Sequence, residues 1–212
     1  MAPRTRPNQQ WPAEQILAAF AHVARPIVRQ SFPASSCIAS TRIAIEVAHK
    51  FGLRAKPLAA QLWLANARLV TFLEQTPDPT RSEVEGWKRV GAAGLSIGGG
   101  KPARYENGLW NRHLVAVVER RWLVDASIDQ GNEPGGLALP GVLVARLPEP
   151  RVGSPWTRRY WLLDGTQIDY TFERTESSYR TTPDWHLRPV AAETARTIAA
   201  AMLNKLLGVA AA

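Results

Sequence analysis

The stretch SSCIASTRIAIEVAHKFGLRAKPL, residues Ser35–Leu58, carries the only cysteine of the chain, Cys37, at the start of a predicted helix. Ser35 or Ser36 can cap this helix, because a short side-chain oxygen accepts a hydrogen bond from a free N–H of the first turn. Gly52 is expected to end it. The helix is largely apolar and is therefore predicted to be central, with one stripe at four-residue spacing formed by Ala39, Ile43 and Val47.

A cysteine at a helix N-terminus has two interpretations. The unpaired N–H groups and the dipole of the helix stabilise a thiolate, the nucleophilic form of the side chain, and one N–H can face a developing oxyanion. Alternatively, Cys37 is only a packed residue, since free cysteines are often buried and behave as small hydrophobes. Partners for the thiol elsewhere in the sequence favour the first interpretation.

Such partners occur in a second stretch, Asn111–Gln130, which is predicted to form a hairpin of two strands joined at residues 119–120. With the turn centred on residue 119, the numbers of paired residues sum to 238, which places His113 directly opposite Asp125. Opposed residues have Cβ atoms ~5 Å apart, so the carboxylate can hold one imidazole nitrogen and leave the other free for a thiol. This is the pattern of a nucleophile, a general base and an orienting acid.

Two other residues compete for these roles. Asp129 is a rival orienter, but it lies four residues beyond Asp125, at the end of the second predicted strand. His186 is a rival base, but it has no strand-paired carboxylate, which favours a structural role. Asp125 and His113 are therefore preferred.

The order Cys37, His113, Asp125, with the cysteine opening an apolar helix that ends in glycine and leads to a strand, resembles the transglutaminase-like branch of the papain-type cysteine enzymes. The resemblance covers about residues 31–129, and the hairpin is also similar to arylamine N-acetyltransferases, which share that core. It implies an α+β fold in which a central helix carrying the nucleophile packs on an antiparallel β-sheet. It also implies that the backbone N–H of Cys37 and the side chain of Gln30 form an oxyanion hole.

Two features differ from the family pattern. Cys37 and His113 are 76 positions apart, which predicts an insertion between Thr71 and Gly108, and residues 76–108 are expected to form a long polar loop over the site. The Arg-Gly-Gly that precedes the cysteine of arylamine acetyltransferases is replaced by residues 33–36, Pro-Ala-Ser-Ser. An acetyl-CoA-dependent activity is therefore the weaker alternative.

The length of 212 residues, with no stretch that resembles a boundary between domains, predicts a single domain over residues 1–212, with a disordered N-terminus at residues 1–10. A single cysteine excludes an intramolecular disulfide and a cysteine-rich zinc site, which indicates a reducing compartment and predicts a cytoplasmic location. Neither a secretory signal nor a membrane-spanning segment is expected. No metal and no cofactor is predicted.

The chain is basic, with 26 lysine and arginine residues against 18 acidic residues, a net charge of +8 and an isoelectric point near 10.2. The basic residues are scattered and match no nucleic-acid motif, which disfavours specific nucleic-acid binding. An acidic protein or peptide substrate fits the charge as well.

The remaining segments extend this fold. Helices are predicted at residues 11–28 and 191–207. In residues 58–73, Ala60, Leu62 and Leu64 alternate as in a strand, whereas the residue propensities also suit a helix, and the family resemblance favours a strand first. A strand is predicted at residues 142–147, and a hairpin turns at Asp164-Gly165.

The predicted activity is thiol-dependent acyl transfer through a thioester intermediate, of peptidase, amidase or transglutaminase type, on a protein or peptide. An arylamine N-acetyltransferase-like enzyme and a non-catalytic binding protein with the same fold remain alternatives.

Overall fold

The computed structural model describes residues 11–32, 37–98, 110, 112–132, 136–148, 155–186 and 188–208. The N-terminus that was predicted to be disordered lies outside these ranges. The helices are α1 (Ala13–Ser31), α2 (Cys37–Lys50), α3 (Ala67–Gln75), α4 (Arg81–Arg89), α5 (Pro183–His186) and α6 (Arg188–Leu206). The strands are β1 (Ala55–Ala65), β2 (Gly94–Ile97), β3 (His113–Val118), β4 (Trp122–Asp125), β5 (Leu143–Arg146), β6 (Trp156–Trp161) and β7 (Gln167–Glu173).

The prediction of an α+β fold with an antiparallel sheet is confirmed. Within the described residues the seven strands form one sheet in the order β5-β4-β3-β1-β7-β6, and β2 also pairs with β1. Every pair is antiparallel. The long strand β1 therefore pairs with three strands, which makes it the centre of the sheet.

Helix α2 begins at Cys37 and packs on β3 and β1. Its C-terminus closes as predicted at Gly52, which has a φ of 73°. The N–H of Gly52 donates to the carbonyl of His49 and the N–H of Leu53 to that of Ala48, at 3.0 and 2.9 Å. This is the Schellman arrangement, and it requires the left-handed backbone that glycine adopts without strain. The predicted caps Ser35 and Ser36 lie outside the described residues.

Two cores lie on opposite faces of the sheet, because alternate residues of a strand point to opposite sides. On one face, helices α1, α2 and α6 pack over Ala116, Val118 and Val124. The other face carries a core that includes alternating residues of β1, β3 and β7, namely Leu58, Ala60, Leu62, Leu64, Val115, Val117, Ile168, Tyr170 and Phe172. Helix α2 thus has the central position that its apolar composition predicts.

The β3–β4 hairpin has a different register from the predicted one. Val118 pairs with Trp122 and Val117 with Leu123, so the numbers of paired residues sum to 240 and not to 238. The turn is centred on Arg120, because both Glu119 and Arg120 adopt a positive φ, of 50° and 61°. The prediction that His113 directly opposes Asp125 is therefore wrong by two residues. An even shift leaves both side chains on the same face of the sheet, since the side-chain period of a strand is two.

The prediction that residues 76–108 form a loop with little regular structure is wrong for residues 81–89 and 94–97, which form α4 and β2. Helix α4 starts with a capping box, in which the Thr80 hydroxyl accepts from the Glu83 N–H and the Glu83 carboxylate accepts from the Thr80 N–H. Trp87 of α4 stacks on Phe72 of α3 with ring centroids 5.2 Å apart, and β2 pairs with β1. The high polarity of the segment reflects an exposed helix and not a loop. Residues 99–109 lie outside the described residues.

The other predicted elements agree with the structure apart from their ends. Strand β1 precedes α3, whose N-terminus is capped by the Asn66 side chain. Helix α1 begins after Pro12 and continues to Ser31, and α6 begins three residues before its predicted start. Strand β5 lies within the predicted range, and the β6–β7 hairpin turns at Asp164-Gly165 as predicted. None of the helices in the described ranges is long and apolar enough to cross a membrane.

Candidate active site

Cys37 is the first residue of α2 and is half-buried. Its thiol points at the backbone carbonyl of Arg112, with the Sγ atom 3.8 Å from the oxygen. One turn later the Thr41 hydroxyl donates to the Leu114 carbonyl at 2.7 Å. The four-residue spacing from Cys37 to Thr41 spans ~6 Å along the helix, and the two-residue spacing from Arg112 to Leu114 spans ~6.6 Å along the strand. Because these lengths match, both contacts can form at once and align the first turn of α2 with the start of β3. The helix thereby brings Cys37 beside His113.

His113, the first residue of β3, is fully buried. Its Nε2 atom lies 2.6 Å from the Oδ2 atom of Asp125, which ends β4. The other ring nitrogen, Nδ1, has no hydrogen-bond partner in the part of the chain that the structure describes. Cys37 also interacts with the imidazole electrostatically.

Burial of His113 acts to lower its pKa, but the Asp125 carboxylate outweighs this effect, and with a smaller contribution from Cys37 the pKa rises to about 10. The imidazole therefore carries a positive charge at neutral pH. A cationic imidazole beside a thiol favours the thiolate form of that thiol. The geometry thus places a cationic side chain near Cys37.

Asp125 is fully buried and is surrounded by donors. The N–H of Ser127 donates to Oδ1 at 3.1 Å, and the hydroxyl of Tyr170 donates to Oδ2 at 2.8 Å. Burial acts to raise the pKa of Asp125, but the charge of His113 and these donors outweigh it, so the pKa lies below its ordinary value. Asp125 therefore stays ionised and holds the His113 ring in place.

Tyr170 is a site residue that the sequence did not reveal. Burial and the adjacent Asp125 raise its pKa well above the ordinary value, so its hydroxyl keeps its proton and donates to the carboxylate. The residue belongs to β7, which pairs with β1 and not with the His113 hairpin. The only sequence signal was its alternation with Ile168 in a predicted strand, which gives no information about the neighbours of that strand.

The rival residues lie elsewhere. Asp129 is in a short 3-10 helix (Ile128–Gly131) and forms ion pairs with Arg25 and Arg29 of α1. His186 is exposed at the end of α5. The structure therefore brings together the preferred residues Cys37, His113 and Asp125.

Gln30 lies exposed in the last turn of α1. Among the described residues it forms no hydrogen bond with Cys37, and the segment that joins the two, residues 33–36, is outside the described ranges. A role for Gln30 in an oxyanion hole stays a prediction. The N–H of Cys37 is at the first position of α2, where a helix provides no acceptor of its own.

An aromatic wall adjoins the thiol. Trp110, Tyr179 and Trp185 pack in one cluster with Cys37 and Ile38. Tyr179 makes edge contacts with Trp110 and Trp185, at centroid distances of 6.0 and 4.9 Å. The indole N–H of Trp110 is buried without a hydrogen-bond partner among the described residues. The wall gives the site an apolar side with one free donor.

Arg112 connects this wall to the end of β7. Its guanidinium forms an ion pair with Glu173 and lies 4.0 Å from a carboxylate oxygen of Glu176. Gln61 donates to Glu173 at 2.8 Å. Because the same residue presents its carbonyl to Cys37, these contacts fix the backbone that the thiol faces.

The Thr41 hydroxyl contact provides a test of how α2 is held. Replacing Thr41 by valine is expected to lower the free energy of unfolding by about 1–3 kcal/mol, because the buried Leu114 carbonyl loses its donor. Urea denaturation measures the loss. Thr71→Val is the matched control, since the Thr71 hydroxyl donates to the Ala67 carbonyl at an exposed position. Equal losses of unfolding free energy in Thr41→Val and Thr71→Val would contradict a stabilising role for the hydrogen bond from Thr41 to Leu114.

Replacing Tyr170 by phenylalanine is expected to slow alkylation of Cys37 at pH 7 by a few-fold, because Asp125 loses a donor and holds His113 less firmly. The pH–rate profile for iodoacetamide measures the effect. The control is Tyr160→Phe, which removes a nearby hydroxyl that donates to the Arg146 carbonyl at 3.0 Å. A Tyr170→Phe profile identical to that of wild type would show that this hydroxyl has no positioning role.

No family model, no curated protein and no solved structure matches this chain. No group of three or more histidine, cysteine, aspartate or glutamate side chains suited to a metal ion occurs among the described residues.

Proposed function

We propose that this protein is a cysteine-nucleophile acyltransferase or hydrolase of the transglutaminase-like kind, which acts on a protein or peptide. The single observation that carries the proposal is the buried His113–Asp125 pair with its free ring nitrogen on the side of Cys37, at the start of a helix. This arrangement has the three parts that thiol catalysis needs: a nucleophile, a proton carrier and an orienting carboxylate. The single cysteine supports the further proposal of a cytoplasmic location.

In the proposed cycle, the Cys37 thiolate attacks an amide, ester or thioester carbonyl and forms a tetrahedral intermediate. The N–H of Cys37, and Gln30 by the family resemblance, would stabilise the oxyanion. His113 then gives its proton to the leaving group, and the Cys37 thioester remains. Water or an amine attacks the thioester, loses its proton to His113 and releases Cys37.

The raised pKa of His113 supports an acid role in the first step of the proposed cycle. The imidazole is protonated at neutral pH, so it would act first as an acid toward the leaving group. Asp125 keeps its charge throughout and stabilises the imidazolium.

The direct test is to capture the thioester. The protein is incubated with p-nitrophenyl acetate and examined by intact-mass spectrometry, with Cys37→Ala as the control. One acetyl group that is present on wild type, absent from Cys37→Ala and lost on addition of hydroxylamine is the expected result. A chain that stays unacylated, or acylates equally without Cys37, would refute the proposal.

The same assay separates the alternatives. Acylation by acetyl-CoA would indicate an arylamine N-acetyltransferase-like enzyme. Incorporation of a labelled amine into a glutamine-containing peptide would indicate transglutaminase activity, and cleavage of a peptide without amine incorporation a peptidase. A folded protein with an inert Cys37 would be a binding protein that retains the fold.

A further inference from the structure

A groove of about 380 Å³ lies between the start of β1 and the segment that follows β7. Its floor is apolar and includes Leu58, Ala59 and Val117. Four cationic residues line it: Lys56, Arg120, Arg174 and Arg180. All four are exposed. The groove thus combines an apolar floor with positive charges.

These charges have no carboxylate partner among the described residues. The one carboxylate in the lining, Glu176, accepts a hydrogen bond from the Ser178 N–H at 2.7 Å and lies beside Arg112. Its pKa lies below the ordinary value, because the Ser178 hydrogen bonds and the charge of Arg112 outweigh burial, which acts to raise it. Glu176 therefore already has its own partners, and the groove carries an excess of positive charge.

The groove adjoins the candidate active site. Ala59 and Tyr179 line it and also belong to the cluster that packs with Cys37. The Arg180 Nε atom is 3.4 Å from the Tyr179 hydroxyl. Tyr179 thus belongs to both the groove and the aromatic wall, with the cationic residues of the groove on one side and the cluster that contains Cys37 on the other.

We propose that this groove binds an acidic peptide segment of the acyl donor, with glutamate or aspartate side chains facing Lys56, Arg174 and Arg180. The connection to an acyl donor rests on the proposed function, whereas binding of the acidic segment does not. An apolar floor suits the methylene groups and backbone of a peptide, while the cations supply charge complementarity. Addition of the peptide as a further strand along β1 is disfavoured, because Pro57 has no N–H to donate and Lys56 adds an edge charge.

The groove is tested with a fluorescein-labelled hexaglutamate peptide, whose binding is measured by fluorescence anisotropy at low salt. The test variant combines Lys56→Ala, Arg174→Ala and Arg180→Ala. Arg120 is retained, because its positive φ belongs to the β3–β4 turn. The matched control combines Arg81→Ala, Arg89→Ala and Arg196→Ala, which removes the same charge from exposed positions on α4 and α6.

The expected result is saturable binding to wild type that weakens at least tenfold in the groove variant and less than twofold in the control. Circular dichroism verifies that both variants are folded. No binding to wild type, or an equal loss in both variants, would overturn the proposal. A dT oligonucleotide that binds more tightly than the peptide, with the same loss in the groove variant, would overturn it in favour of a nucleic-acid site.

A second measurement separates this proposal from the proposed catalysis. Cys37→Ala is expected to bind hexaglutamate as wild type does, since the thiol is not part of the groove lining. If the protein binds the peptide but its Cys37 is never acylated, only the enzymatic proposal is refuted. Acylation of Cys37 without peptide binding would refute only the groove.

Discussion

Replacing His113 by alanine is expected to lower the rate at which iodoacetamide alkylates Cys37 at pH 6 by roughly 10- to 100-fold. In the proposed mechanism the protonated imidazole stabilises a Cys37 thiolate, whereas a thiol without a cationic neighbour is mostly protonated at pH 6, because its reference pKa is ~8.5. The difference in alkylation rate is smaller than the difference in the ionised fraction of the thiol, since a thiolate of lower basicity is also a weaker nucleophile. The pH dependence of the alkylation rate measures the effect.

Two controls make this result specific. His186→Ala removes the exposed histidine of α5 and is expected to leave the profile unchanged. At pH 10, where an isolated thiol is ionised, the rate advantage of wild type is expected to disappear, and His113→Ala, whose thiolate is the more basic, is expected to react at least as fast. A wild-type thiol that is unreactive in the folded protein, or a pH–rate profile that is the same in wild type and His113→Ala, would refute the Cys37–His113 pair.

The Asp125→Ala variant is expected to lose about 3–5 kcal/mol of unfolding free energy, because the imidazolium of His113 would be left buried without its partner. Asp125→Asn is expected to lose less unfolding free energy, because its side chain can still accept a hydrogen bond from Ser127. It is also expected to reduce thiol reactivity at pH 6, since the charge that raises the pKa of His113 is gone. Urea denaturation at pH 6 measures the stability. A loss below about 1 kcal/mol for Asp125→Ala would contradict the strength assigned to the pair.

The sign of the pH dependence follows from the two pKa shifts. The pKa of His113 is raised from 6.5 to about 10, so its contribution to stability is complete below pH 6.5 and is lost as the pH rises through about 10. The pKa of Asp125 is lowered, so its contribution is present above its unfolded value of ~3.9 and is lost as the pH falls. The excess stability of wild type over Asp125→Asn is therefore expected to be greatest between about pH 4 and 6.5.

The sequence predicts the candidate site better than it predicts the register that forms it. Local signals place Cys37 at a helix start and His113 and Asp125 on neighbouring strands. The exact pairing depends on the positive φ of Glu119 and Arg120, a conformation that these residue types rarely adopt and that no local pattern indicates. The error had little consequence, because a two-residue shift preserves which face each side chain occupies.

Other features could not be read from local patterns. Tyr170 reaches Asp125 only because β7 joins the sheet beside β1, and strand order is a long-range property. The polar residues of helix α4 predict a loop, although Thr80 and Glu83 carry the capping-box signature of a helix start. The contact of Tyr170 with Asp125 has no signal in the sequence, whereas helix α4 has one, the capping box, which the polar composition of the segment obscured.

The groups of the candidate site come from distant parts of the chain. Cys37 lies on a helix, His113 and Asp125 on one hairpin, and Tyr170 on a strand that pairs elsewhere in the sheet. A chain that has formed only its local helices and hairpins would lack the charge environment that we propose activates the thiol, since the long-range packing of α2 on the β3–β4 hairpin must come first. Rapid alkylation of Cys37 at pH 6 would thus report that this packing has formed, and during synthesis the nucleophile would stay latent until then.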